Sequence, residues 1–128
     1  MTNIAIIDTG CANLSSVKFA FDRLGYNTEI TFDLNKIKSA DKLILPGVGT
    51  ANAAMYNLQE RQLIETIQNL TQPVLGICLG MQLMTEFSEE GNVPTLNLIS
   101  GKTNRIPDTG LPLPQMGWNR VQYVKNCP

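Results

Sequence analysis

Short apolar runs alternate along the chain with amphipathic stretches, the pattern of an α/β domain built on a parallel sheet. Residues 4–8 (IAIID) are a continuous apolar run of strand length, as a strand covered on both faces requires. Residues 14–24 read as a helix, because Val17, Ala20, Phe21 and Leu24 recur at helical spacing and Gly25 stops the run. Residues 27–32 give a second, weaker strand, and residues 42–45 (KLIL) a third, broken at Pro46-Gly47. Helices are predicted over 51–58 and 62–70, a fourth strand over 74–77 and a helix over 80–87. Beyond Glu89 the texture changes: glycines and prolines punctuate short extended pieces, and residues 118–124 (WNRVQYV) read as a late strand. No repeat, linker or low-complexity tract divides the chain, so the expected fold is one open, mostly parallel sheet with helices on both faces.

Composition narrows the function. The 128 residues are 43% hydrophobic and 16% charged, the balance of a chain that buries a core. Ten basic and eleven acidic residues leave a net charge of −1 with no run of like charges. That is not the footprint of a nucleic-acid or anionic-membrane binder. The first residues lack the basic start of a secretory signal, and the long uncharged stretch 66–85 is interrupted by Pro73 and several polar residues, so no membrane span is expected. Cys11, Cys78 and Cys127 are odd in number and widely spaced, which predicts reduced thiols in a cytoplasmic protein. The sequence contains no histidine, so most metal and acid–base constellations are excluded and neither metal nor cofactor is expected.

The strongest chemical signal is Gly76-Ile77-Cys78-Leu79-Gly80, the form of a nucleophile elbow with cysteine in the nucleophile position. A strand that turns sharply into a helix needs small residues on either side of the tip. The free N–H groups of the helix start favour a developing oxyanion. The competing reading is a structural cysteine beside two packing glycines. Pro46-Gly47-Val48-Gly49 follows the third strand and therefore lies at the same carboxyl edge of the sheet, where open α/β sheets bind ligands. It can serve as an oxyanion strand or as an ordinary βα turn. Asp8, at the end of the first strand, reads as an acid–base group or, with better support from turn chemistry, as a cap for the loop at Thr9-Gly10. Asn13 and Ser15 are candidate helix caps, and Cys11 a small packing residue.

Residues 73–82 (PVLGICLGMQ) resemble the nucleophile segment of class I, triad-type glutamine amidotransferases, and Pro46-Gly47-Val48-Gly49 resembles their oxyanion strand. Residues 7–17 (IDTGCANLSSV) and 114–119 (PQMGWN) are similar to signatures of one branch of that family, the glutaminase subunits of imidazole glycerol phosphate synthases in histidine biosynthesis. The resemblance implies a flavodoxin-like domain that hydrolyses glutamine, with Cys78 attacking the side-chain amide. It implies oxyanion contacts from the Val48 and Leu79 N–H groups and a glutamine site lined by Gly47, Gly49 and Gln82. It also implies a heterodimer in which ammonia passes to a (βα)₈-barrel cyclase subunit. Met116, Trp118 and Asn119 are the expected partner contacts, although Trp118 can equally be read as a core residue opening the late strand.

Three positions depart from the commoner family pattern, which has Tyr, Gly and His where Thr9, Ala12 and Gln115 stand. The larger departure is the base. The family's histidine and its orienting glutamate lie in the C-terminal part of the domain, and no histidine is present here. The expectation is therefore that residues 1–128 are the N-terminal portion of a single amidotransferase domain, inactive alone. The alternative is a natural short, non-catalytic binding or regulatory module of the same fold.

Overall fold

The computed structural model describes residues 1–10 and 13–126; Cys11 and Ala12 in the first loop, and Cys127 and Pro128, lie outside the described residues. Four parallel strands form the main sheet: β1 (Ile4–Ile7), β2 (Thr28–Thr31), β3 (Lys42–Leu45) and β4 (Val74–Gly76), in the order β2-β1-β3-β4. Among the described residues five helices accompany them, α1 (Leu14–Arg23), α2 (Leu34–Ser39), α3 (Ala51–Glu60), α4 (Ile64–Gln68) and α5 (Leu79–Leu83). A second, three-stranded sheet of two-residue strands, β5 (Phe87–Ser88), β6 (Val93–Pro94) and β7 (Lys102–Thr103), has the order β6-β5-β7. No helix among the described residues is long and apolar enough to cross a membrane.

Strand alternation splits the core in two. Ala5, Ile7, Leu43 and Leu45 face a large cluster with Ile37 of α2, Ala54, Met55 and Leu58 of α3, Ile67 of α4, and Leu79 and Leu83 of α5. Ile4, Ile6 and Ile44 point the other way and are covered by Leu14, Val17 and Phe21 of α1. Register carries that second face onward from Ile6 to Ile44 to Leu75. Cover stops before it gets there, for Leu75 is 54% exposed on the outermost strand.

Element boundaries follow local chemistry. Helix α1 ends in a Schellman turn: Tyr26 N–H donates to Phe21 C=O and Gly25 N–H to Asp22 C=O, each at 3.0 Å. Gly25 takes the φ of 83° that this turn needs. Asn13 does sit at the N-cap of α1, but its side chain caps nothing and instead accepts from the Ser16 hydroxyl.

Three expectations are corrected. Helix α2 was not anticipated, since Ile37 is its one buried residue; Asp33 starts it by accepting from Asn35 N–H at 2.8 Å and Lys36 N–H at 3.1 Å. Helix α5 ends at Leu83 and does not run to residue 87. The groups that would extend it are paired elsewhere: Leu96 N–H donates to Leu83 C=O at 2.8 Å, and Glu86 N–H donates to Gly101 C=O at 2.9 Å. Residues 118–124 form no strand. Trp118, Tyr123 and Val124 are exposed with no neighbouring strand to pair with among the described residues, and strand propensity without a partner edge is not enough.

Candidate active site

The turn from β4 into α5 puts Cys78 at its tip, solvent-exposed, with φ 53° and ψ −114°. A non-glycine residue held there costs about 1–3 kcal/mol and persists because its surroundings fix it. Three hydrogen bonds do so: Ile77 N–H to Leu45 C=O at 3.0 Å, Gly80 N–H to Ile77 C=O at 2.9 Å, and Gln82 N–H to Cys78 C=O at 3.2 Å. The flanking glycines have distinct steric reasons. A Cβ on Gly76 would lie 2.5 Å from Met84 Sδ, and one on Gly80 would lie 1.8 Å from the Leu45 carbonyl oxygen. Only a bare Cα lets α5 start this close to β3 and β4.

The loop after β3 lies against the same helix start. A Cβ on Gly47 would come within 2.9 Å of Leu79 Cβ and 3.1 Å of the Gly80 nitrogen. Gly49 has a φ of 100°, and the Val48 side chain is exposed. Leu79 is the first residue of α5, where helix N–H groups lack intrahelical acceptors. Gly47 thus packs against Leu79 and Gly80 at the carboxyl edge of the sheet, with Val48 and Gly49 next to it in the loop and Cys78 next to Leu79 at the tip. Gln82 sits one helical turn beyond Cys78. Its side-chain Oε1 is buried and without a hydrogen-bond partner among the described residues.

Gln82 also lines a cleft of about 860 Å³, together with the acidic pair Glu89 and Glu90, Asn92, Arg105, Leu113 and Pro114, among others. The hairpin between β5 and β6 presents the two carboxylates, bent by Gly91 at φ 86° and Asn92 at φ 47°. One Glu89 oxygen accepts from the Arg105 backbone N–H at 2.6 Å. Pattern reading along the chain did not single out these three charged residues. A usable signal existed, since Glu89-Glu90 is the one adjacent acidic pair in the sequence.

Asp8 takes the capping role. Its Oδ1 accepts from Gly10 N–H at 2.9 Å, and its Oδ2 pairs with Arg61 at 3.0 Å. The Arg61 guanidinium also lies 4.7 Å over the Phe32 ring. Met116, Trp118 and Asn119 stand apart from this edge-lining group, on an exposed arm that follows β7; Trp118 is 104% exposed, so it is not a core residue of these 128 residues. No cluster of three His, Cys, Asp or Glu that could hold a metal occurs among the described residues.

Compared with known families, residues 5–125 match the sequence profile described as glutamine amidotransferase class-I. The chain belongs to this family. Among curated proteins it is 98% identical, over all 128 residues, to the imidazole glycerol phosphate synthase subunit HisH of Haemophilus influenzae (strain 86-028NP). It is 71% identical over its whole length to the subunit of that name from Pasteurella multocida (strain Pm70), and 52% identical over 98% of its length to the one from Vibrio cholerae (strain ATCC 39315). The chain spans about 64% of the length of the first relative and about 65% of the other two.

Proposed function

We propose that these residues form the nucleophile half of a glutaminase that supplies ammonia to a cyclase subunit making imidazole glycerol phosphate. One observation carries the reading: an exposed cysteine held strained at a strand–helix tip, where the helix start packs against Gly47, in a chain of the class-I amidotransferase family. The names of its relatives support the synthase and histidine biosynthesis as the setting.

In this mechanism the Cys78 sulfur, its proton removed, attacks the carboxamide carbon of glutamine. The carbonyl π electrons move to oxygen, and the oxyanion is met by the N–H groups of Val48 and Leu79. Collapse breaks the C–N bond, and the departing nitrogen takes up a proton to leave as ammonia. Water then attacks the thioester carbon, releasing glutamate and restoring the thiol. Gly47 and Gly49 allow the loop backbone to reach the substrate, and Gln82 lines the glutamine site from the cleft. The Glu90 carboxylate lies in the cleft for the substrate's α-ammonium group, with Glu89 engaged by the Arg105 backbone.

The proton transfers need a base that none of these 128 residues provides, for there is no histidine and Asp8 is held by Gly10 and Arg61. Ammonia passes to a (βα)₈-barrel cyclase partner, with Met116, Trp118 and Asn119 on the contact surface of the heterodimer. A reducing cytoplasmic setting fits three separated cysteines. The test is glutamate release by a polypeptide of the relatives' full length built on these residues, assayed with its cyclase. Release should fall at least about a thousandfold in Cys78→Ala. A Cys78→Ala protein that keeps its rate contradicts the proposal.

A further inference from the structure

We propose that Arg105 recognises the α-carboxylate of the amino-acid substrate and so determines specificity for glutamine over other primary amides. The inference rests on the glutaminase reading of the same site and goes beyond the residues that carry the bond-breaking steps. An amino-acid head group bears a cation and an anion on one carbon, so its receptor needs a positive and a negative group side by side. The cleft that Gln82 lines, one helical turn beyond Cys78, has both, and among the described residues Arg105 is the one basic residue lining it.

Arg105 is fixed by its backbone and free at its side chain. Strand β7 ends two residues before it, paired with β5 through Ser88 and Thr103, and Glu89 N–H donates to Thr103 C=O at 2.9 Å. The Glu89 carboxylate then accepts from Arg105 N–H. The ion pairs among the described residues are Lys18–Asp22, Lys36–Glu29 and Arg61–Asp8, which leaves the Arg105 guanidinium without an acidic partner. A guanidinium fork anchored this way suits a carboxylate, which it can hold through two parallel hydrogen bonds. The substrate would then lie with its amide at Cys78, its methylenes past Gln82 and its head group between Glu90 and Arg105. Glutamine α-amide, whose carboxylate is replaced by a neutral carboxamide, should be discriminated against by this contact.

The experiment uses the full-length polypeptide with its cyclase, and compares the parent with Arg105→Gln and Arg105→Lys on glutamine and on glutamine α-amide. Arg105→Gln should raise KM for glutamine about ten- to hundredfold, the effect of losing charge-assisted hydrogen bonds, with kcat within about twofold. Its preference for glutamine over the α-amide should shrink by the same factor, and Arg105→Lys should restore part of it. Arg105 is exposed, so the fold tolerates both changes, and an unchanged thermal midpoint checks this. A KM and preference equal to the parent's, while Cys78→Ala is dead, overturn the Arg105 assignment alone. A Cys78→Ala protein that remains active overturns the glutaminase reading beneath it.

Discussion

Gly80 shows how narrowly the elbow is specified. Its missing Cβ would sit 1.8 Å from the Leu45 carbonyl oxygen, a backbone atom that cannot swing aside. Gly80→Ala should therefore destabilise the domain by about 1–3 kcal/mol or more, through separation of α5 from β3. Met81→Ala, at an exposed neighbouring position, should stay within about 0.5 kcal/mol of the parent. Equal midpoints for the two variants in denaturant would show that the close approach does not exist. At this scale the sequence was informative where spacing reflects sterics. Gly76, Cys78 and Gly80 stand two apart because strand, tip and helix start each need a specific size. It was silent on Arg105 and Glu90, which are fifteen positions apart in the chain and share a cleft only because β5 and β7 pair.

At the level of elements, β1 and β3 are legible because each is a short apolar run, buried at every position in β1 and at Leu43, Ile44 and Leu45 in β3. Helix α2 escaped notice because six residues with one buried side chain carry no periodicity, and only the Asp33 cap marks its start. The limits of α5 were illegible for a different reason, since segment 96–99 competes for its last carbonyls from a distance in sequence. In the arm beyond β7, residues 118–124 have the propensity of a strand and form none, and the arm's exposure bears on the proposed partner surface. Ile106, Leu111, Leu113, Met116, Trp118, Val121, Tyr123 and Val124 are all exposed there, far more apolar surface than a free segment favours. Trp118→Ala should leave the thermal midpoint of the 128 residues unchanged, because the indole is bare. In the full-length subunit it should weaken cyclase association by about 2 kcal/mol or more, as loss of an aromatic anchor does. Calorimetric titration of cyclase into both proteins measures the difference; unchanged affinity would remove Trp118 from the interface.

The molecule as a whole has one uncovered side. Strand β4 is the outer strand of the parallel sheet, and Leu75 and Ile77 lie uncovered on the face where α1 shields Ile6 and Ile44. Parallel sheets are normally covered on both faces, and open edges invite pairing. The 128 residues alone should therefore associate with rising concentration in sedimentation velocity, and Leu75→Lys should reduce that association. A compact monomer at every concentration, with cooperative unfolding at an ordinary midpoint, would mean that the open face is tolerated. The same polypeptide should release no glutamate from glutamine above background, with or without cyclase, because thiol and base act as a unit. The central claim, that Cys78 is the group that attacks glutamine, is tested most directly by a chloroketone analogue of glutamine applied to the full-length subunit with its cyclase. Site-resolved mass spectrometry should find the label on Cys78, with glutamine protecting against it. Label on Cys11 or Cys127 in place of Cys78, or label on Cys78 that glutamine does not suppress, would contradict the account.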